Sequence, residues 1–137
     1  KTTVSVVHRY NMRGGVPPQK RATTLLKTSK CAGIAISENG NWLAISGRKK
    51  LHVARLNVSE LEFKTYYSEE AISCLAFHPT EPCIAAGDER GRITLWYCLS
   101  ANDVNDPITS VLHWHAHKVN HLTFTADGTL LFQFPRL

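Results

Sequence analysis

The apolar positions of this chain come in short runs of four to six residues, each closed by turn-forming residues. Residues 72–77 (ISCLAF), 83–86 (CIAA) and 93–97 (ITLWY) are the clearest. Between them stand His-Pro-Thr-Glu-Pro and Gly-Asp-Glu-Arg-Gly-Arg, which carry turn chemistry. No stretch sustains the i, i+3, i+4 stripe of a helix, and β-branched residues are frequent in the runs. The runs also lack the period-two alternation of a strand with one wet face. They predict strands buried on both faces. Residues 62–67 (EFKTYY) mix charges with aromatics, as a half-exposed strand does. The fold class is all-β.

The same grammar recurs. It appears upstream in residues 34–47 (IAISENGNWLAISG) and begins again in residues 122–131 (LTFTADGTLL). Aligned on Gly33, Cys74 and His121, the copies are offset by 41 and 47 residues. A turn, a strand, a glycine turn and a strand ending in Trp form the central hairpin of a β-propeller blade, whose period is about 40–45 residues. The longer second interval contains LSANDVNDP (residues 99–107), a surface-loop composition. The chain therefore divides into the end of one blade (1–27), two full antiparallel four-stranded blades (28–67 and 68–115) and the start of another (116–137). Residues 2–10 and 22–27 are expected to be the third and outer strands of the first of these, around a Gly-Gly and Pro-Pro loop. Closed propellers need about 4–8 blades, so an open arc is expected, a propeller fragment. Residues 132–137 stop where a hairpin would turn back.

Composition narrows the chemistry. No run approaches the roughly 20 apolar residues of a membrane span. Cys31, Cys74, Cys83 and Cys98 form no C-x-x-C pair; the hairpin register is expected to set Cys74 nearest Ala86 rather than Cys83. Buried reduced thiols are the better reading. Ser73, Ser100 and Ser110 lie in no nucleophile elbow, and no glycine-rich phosphate loop precedes a helix. Glu69-Glu70 and Asp88-Glu89 read as solvated turn charges. His113, His115 and His117 would share one face of a strand, yet the carboxylates that support a metal site are missing around them. No catalytic residue, metal or cofactor is expected.

The net charge of +5 is unevenly placed. With strands labelled A to D from hub to rim, the D-to-A and B-to-C turns share one face of the disc. Lys30, Arg48, Lys49, Lys50, Arg90, Arg92 and Lys118 fall there, against Glu69, Glu70, Asp88 and Glu89. The opposite face carries Glu38, Glu60, Glu81, Asp103, Asp106 and Asp127, with Arg13, Lys20 and Arg21 from the first loop. The basic set is the candidate binding face, for RNA or for a protein partner: such clusters attract phosphate backbones. No aromatics interleave, so base stacking is not indicated.

In these hairpins the chain resembles WD-repeat proteins. FHPTEPCIAAGDERGRITLWY (residues 77–97) and VLHWHAHKVNHLTFTADGTLL (residues 111–131) are similar to the WD-repeat subunit of the transcription-linked subcomplex of the small-subunit processome. The resemblance implies a non-enzymatic nucleolar scaffold in pre-ribosomal RNA transcription and processing. Its partners would be other processome propellers and pre-ribosomal RNA, with no membrane or small-molecule substrate. The other reading is a WD-repeat peptide adaptor in signalling or protein turnover. The resemblance gives structural roles to Trp96, Gly87, Gly91 and His117. Blades of this kind are braced by an Asp, a hydroxyl residue, a Trp and a His. Here Arg90 stands where the Asp is expected, Ala86 replaces the hydroxyl, Tyr97 follows Trp96, and the third strand of the first full blade, ending LHVARL (51–56), has no Trp. Apolar packing alone is therefore expected to hold these blades together.

Overall fold

The computed structural model describes residues 4–10, 22–58, 60–99, 107–114 and 117–135. Among them it contains strands and turns but no helix. A two-stranded sheet pairs β1 (Val4–Tyr10) with β2 (Ala22–Ser29). A four-stranded sheet follows in sequence order: β3 (Ile34–Ile36), β4 (Trp42–Gly47), β5 (Lys50–Arg55) and β6 (Lys64–Tyr67). The next repeats that order with β7 (Ile72–Phe77), β8 (Ile84–Asp88), β9 (Arg92–Tyr97) and β10 (Ile108–Trp114). Finally, β11 (His121–Phe124) pairs with β12 (Leu130–Gln133). Every pairing is antiparallel. The two full repeats thus have four strands each, β3–β6 and β7–β10, while the outer strand of the first sheet, read at 22–27, runs on to Ser29. The outer strand read at 62–67 begins two residues later, at Lys64.

The core lies between the sheets. β3 and β4 pack on β7, and β11 packs on β7 and β8. Ala44, Leu51, Val53 and Tyr66 of one four-stranded sheet meet Leu75, Phe77, Ile84 and Trp96 of the next. Ile45 and Leu43, on the other face of β4, join Val7 and Leu26 of the first sheet. Ile93 and Ala85 meet Val119 and Leu122. Each central strand therefore buries both faces, which is why β4 and β8 are apolar without alternation. Ile45, Leu51, Ile84, Ile93 and Val119 have essentially no exposed surface.

Two sequence expectations are corrected. Cys74 sits opposite Gly87, not Ala86, because the ladder slips between Ile72 and Cys74. The extra residue at this bulge is Ser73, and bulges re-aim side chains. Its hydroxyl donates to the Val119 carbonyl at 2.6 Å, in the connection entering β11. The four cysteines are free. Burial pushes the Cys98 thiol up to about 12, with nearby Cys83 adding to the effect and its own backbone opposing it, so it is a packing group rather than a nucleophile.

The second correction concerns what braces the blades, since apolar packing does not act alone. In the first four-stranded sheet, whose third strand β5 has no Trp, buried His52 bridges neighbouring strands. Its Nε2 lies 2.8 Å from Thr28 Oγ1 on β2 and its Nδ1 2.8 Å from Thr65 Oγ1 on β6. Two hydroxyls satisfy both ring nitrogens of a neutral imidazole, whichever tautomer is present. Gly47 is required beside them: a Cβ there would sit 2.0 Å from Thr28 Oγ1. Burial, helped by Lys50, lowers the His52 pKa below its ordinary value.

The unfolded chain therefore takes up the proton more readily than the fold does. Stability contributed at this site is complete above the ordinary histidine pKa of about 6.5 and falls as pH drops below it. Urea unfolding between roughly pH 5 and 7 should show that decline in the full-length protein. His52→Gln should flatten it; an unchanged slope in that variant would place the titration elsewhere.

Candidate functional site

The candidate face is built from the β4–β5 and β8–β9 turns and the connections entering β3, β7 and β11. The backbone links these turns across sheets in a repeating way. The Arg48 carbonyl accepts the Ile72 N–H at 2.8 Å, and the Asp88 carbonyl accepts the Val119 N–H at 3.0 Å. Arg48 N–H donates to the Lys30 carbonyl and Glu89 N–H to the Ala71 carbonyl. Each turn is thereby tied to the start of the neighbouring sheet, which holds its side chains at fixed spacing. Arg48 itself has φ 59° and Lys30 φ 22°, a region that residues with a Cβ seldom occupy. The Gly47–Lys50 turn thus presents Arg48 and Lys49 at the tip of a tight two-residue loop.

The β8–β9 turn is organised by Asp88, which is 4% exposed. Its Oδ1 accepts the Arg90 and Arg92 N–H groups at 2.9 and 3.0 Å. Its Oδ2 accepts Arg92 Nε at 3.1 Å, and Arg92 Nη1 reaches Glu69 Oε2 at 2.9 Å. Glu69, then Asp88, hold the guanidinium above its ordinary pKa against the opposing effect of burial. Gly91 closes the turn at φ 88°, with its N–H on the Asp88 carbonyl. The buried carboxylate of this blade is thus Asp88, two residues before the position that family spacing assigns to it. An Asp at the first position of a turn closed by Gly was the signal for it.

The seven basic residues therefore divide. The Arg92 side chain is only 13% exposed and is held by two carboxylates, so it belongs to the framework. Arg90 pairs with Glu70 at 3.4 Å and Lys30 with Glu89 at 4.0 Å; both cations remain largely exposed, and such pairs hold little energy. Arg48, Lys49, Lys50 and Lys118 are exposed and have no ion pair among the described residues. Those four are the uncompensated positive charge. A notch of about 150 Å³ between the sheets has Lys30, Arg48 and Lys49 on its lining, with Glu70 and Glu89 also on it.

Of the remaining sequence candidates, Trp96 is buried between sheets, its ring 6.2 Å from that of Tyr66. Gly87 admits close approach: a Cβ would sit 2.7 Å from the Val119 side chain. His117 is half-buried in the connection to β11. β10 ends at Trp114 and slips in register between Val111 and His113, so His113 and His117 do not share a strand. His115, Arg13, Lys20, Arg21, Ser100, Asp103 and Asp106 lie outside the described residues. Among the described residues no group of three His, Cys, Asp or Glu could hold a metal ion, and no helix is long and apolar enough to cross a membrane.

Residues 16–134 match the family described as the first β-propeller of WD repeat-containing protein 75. The chain belongs to that family. It is 44% identical to zebrafish (Danio rerio) WD repeat-containing protein 75 over 63 residues, 46% of this chain and 7% of that protein. With the human protein it shares 34% identity over 90 residues, 66% of this chain and 10% of that protein. The aligned part is thus a tenth or less of either relative's length. A uncharacterised WD-repeat protein from Synechocystis is 36% identical over 63 residues, covering 46% of this chain and 5% of that protein. A chain in the crystal structure of the mitotic checkpoint complex superposes with a TM-score of 0.70 at 18% identity, over 93% of this chain and 38% of that one. That likeness shows the propeller fold. The fold serves generally as a non-enzymatic scaffold, with protein–protein contact as its common use.

Proposed function

We propose that this chain is part of a non-enzymatic scaffold of small ribosomal subunit biogenesis in the nucleolus. It would bind other propeller proteins of the processome and pre-ribosomal RNA. Membership of the WD repeat-containing protein 75 family over residues 16–134 carries the reading. The uncompensated cations Arg48, Lys49, Lys50 and Lys118 give the RNA contact a location. Phosphate contact is the mode these cations fit; contrary to the sequence expectation that no aromatic interleaves, exposed Tyr67 is the cross-strand partner of Lys50.

The test is RNA binding by the full-length protein as a function of salt, using labelled pre-ribosomal RNA and a random RNA of equal length. Affinity should fall with salt for both. Replacing Arg48, Lys49 and Lys50 together with glutamine should weaken binding and reduce the logarithmic salt slope by about 2, since each lost single-strand phosphate contact removes roughly 0.7. An unchanged slope in that variant means that RNA does not touch this face.

A further inference from the structure

The basic face also carries an aromatic side chain that charge does not account for. Strand β6 ends on Tyr66 and Tyr67. Successive side chains of a strand point to opposite faces, and these two divide accordingly. Tyr66 is buried beside Trp96, whereas Tyr67 is 72% exposed. Tyr67 stands directly opposite Lys50, the residue that opens β5. Residues paired in this way share a face, with Cβ atoms about 4.5–5.5 Å apart. Tyr67 and Lys50 are thus neighbours, beside the turn that carries Arg48 and Lys49.

This arrangement is fixed by the backbone. Ser68 N–H donates to the Lys49 carbonyl and Ile72 N–H to the Arg48 carbonyl, each at 2.8 Å. The segment leaving Tyr67 is thereby tied to the β4–β5 turn at two points. Glu69 and Glu70, the carboxylates next along the chain, are engaged by Arg92 and Arg90. Neither is paired with Arg48, Lys49 or Lys50 among the described residues. The next four-stranded sheet repeats the ladder position, since β10 ends on Trp114 opposite Arg92, which opens β9. There the cation is already held by Glu69 and Asp88. At Tyr67 the aromatic meets a cation that is not.

We propose that Tyr67 stacks on a base of single-stranded RNA while Lys49 and Lys50 contact the flanking phosphates. The assignment rests on the reading of this face as an RNA contact and gives that contact a strand type. A single strand offers unstacked bases as well as phosphates, and proteins that bind one combine cations with exposed rings. In a duplex the bases are already stacked on one another, so this ring gains nothing there. A protein partner fits less well, because lysine is depleted in protein–protein interfaces and here it is the ring's direct neighbour. Every base has a π-face, so the contact tolerates any sequence.

Fluorescence anisotropy with the full-length protein tests it, using a labelled single-stranded oligoadenylate and an RNA duplex of equal length. Tyr67→Ala should weaken oligoadenylate binding about tenfold, within the range for losing one stacked base. It should leave duplex affinity and the salt slope unchanged, since no charge is removed. Tyr67→Phe should keep the original affinity. Full oligoadenylate affinity in Tyr67→Ala, with the glutamine variant of Arg48, Lys49 and Lys50 still lowering the salt slope, would overturn stacking and leave the RNA face standing. An unchanged slope in the glutamine variant would overturn both. Equal losses for oligoadenylate and duplex in Tyr67→Ala would overturn the assignment, because the ring would then support the face rather than hold a base. So would competition by polyglutamate as effective as that by unlabelled oligoadenylate, which would give the face to an acidic protein segment.

Discussion

Trp96→Ala is expected to destabilise the propeller by about 3–5 kcal/mol, the range for truncating a large buried aromatic. Trp96 is the penultimate residue of the third strand of its sheet and faces the neighbouring one, sharing a cluster with Leu51, Val53 and Tyr66. The loss therefore falls on the packing between sheets as well as within one. Urea unfolding of the full-length protein, followed at the transition that includes this propeller, measures it. Trp96→Phe should recover much of the difference because the aromatic contact with Tyr66 is partly kept. A loss below about 1 kcal/mol, the level of ordinary surface changes, would contradict a core located between the sheets.

Asp88→Ala is expected to cost about 3 kcal/mol, a size typical of removing one member of a buried, hydrogen-bonded ion pair. The change leaves two turn N–H groups without their acceptor and takes one of two carboxylates from Arg92. Asp88→Asn should cost less, since an amide oxygen can still receive the Arg90 and Arg92 N–H groups. A double-mutant cycle with Arg92→Ala should show strong coupling, because the partners share one network. Independent effects would mean that the turn is held by its glycine and backbone alone. The cycle also separates structure from binding: Arg92 variants should lower stability first, whereas Lys49 variants should leave it unchanged.

The strand cores were legible because their physics is local. Short runs bounded by Pro, Gly, Asn and Asp mark where β3 to β5 and β7 to β9 begin and end. The missing alternation correctly marked strands buried on both faces. Chain direction alone placed Arg48 and Arg90 on turns of one type. What sequence did not reveal depends on contacts between distant residues. The slip at Ser73 arises from its hydroxyl meeting the Val119 carbonyl, 46 residues away. Thr28 and Thr65 have no separate signature until the fold brings them to His52. Counting charges put Arg92 with Lys49, yet the reach of Glu69 and Asp88 puts it in the framework. Tyr67 escaped notice beside the basic set for the same reason, since strand pairing brings it to Lys50.

The two faces thus differ less in their number of charges than in how those charges are compensated. On the basic face, Glu69, Glu70, Asp88 and Glu89 are all engaged by Lys30, Arg90 or Arg92. What remains to attract a partner is the β4–β5 turn with Lys118. Across the disc, Glu38 and Glu81 line a cleft and have no ion pair among the described residues.

Affinity purification of the tagged full-length protein from cells, with bound RNA and proteins identified at moderate salt, tests the central claim most directly. The account predicts recovery of pre-ribosomal RNA together with other processome propellers. A stable partner set without ribosomal precursors would contradict it and leave a WD-repeat peptide adaptor in signalling or protein turnover.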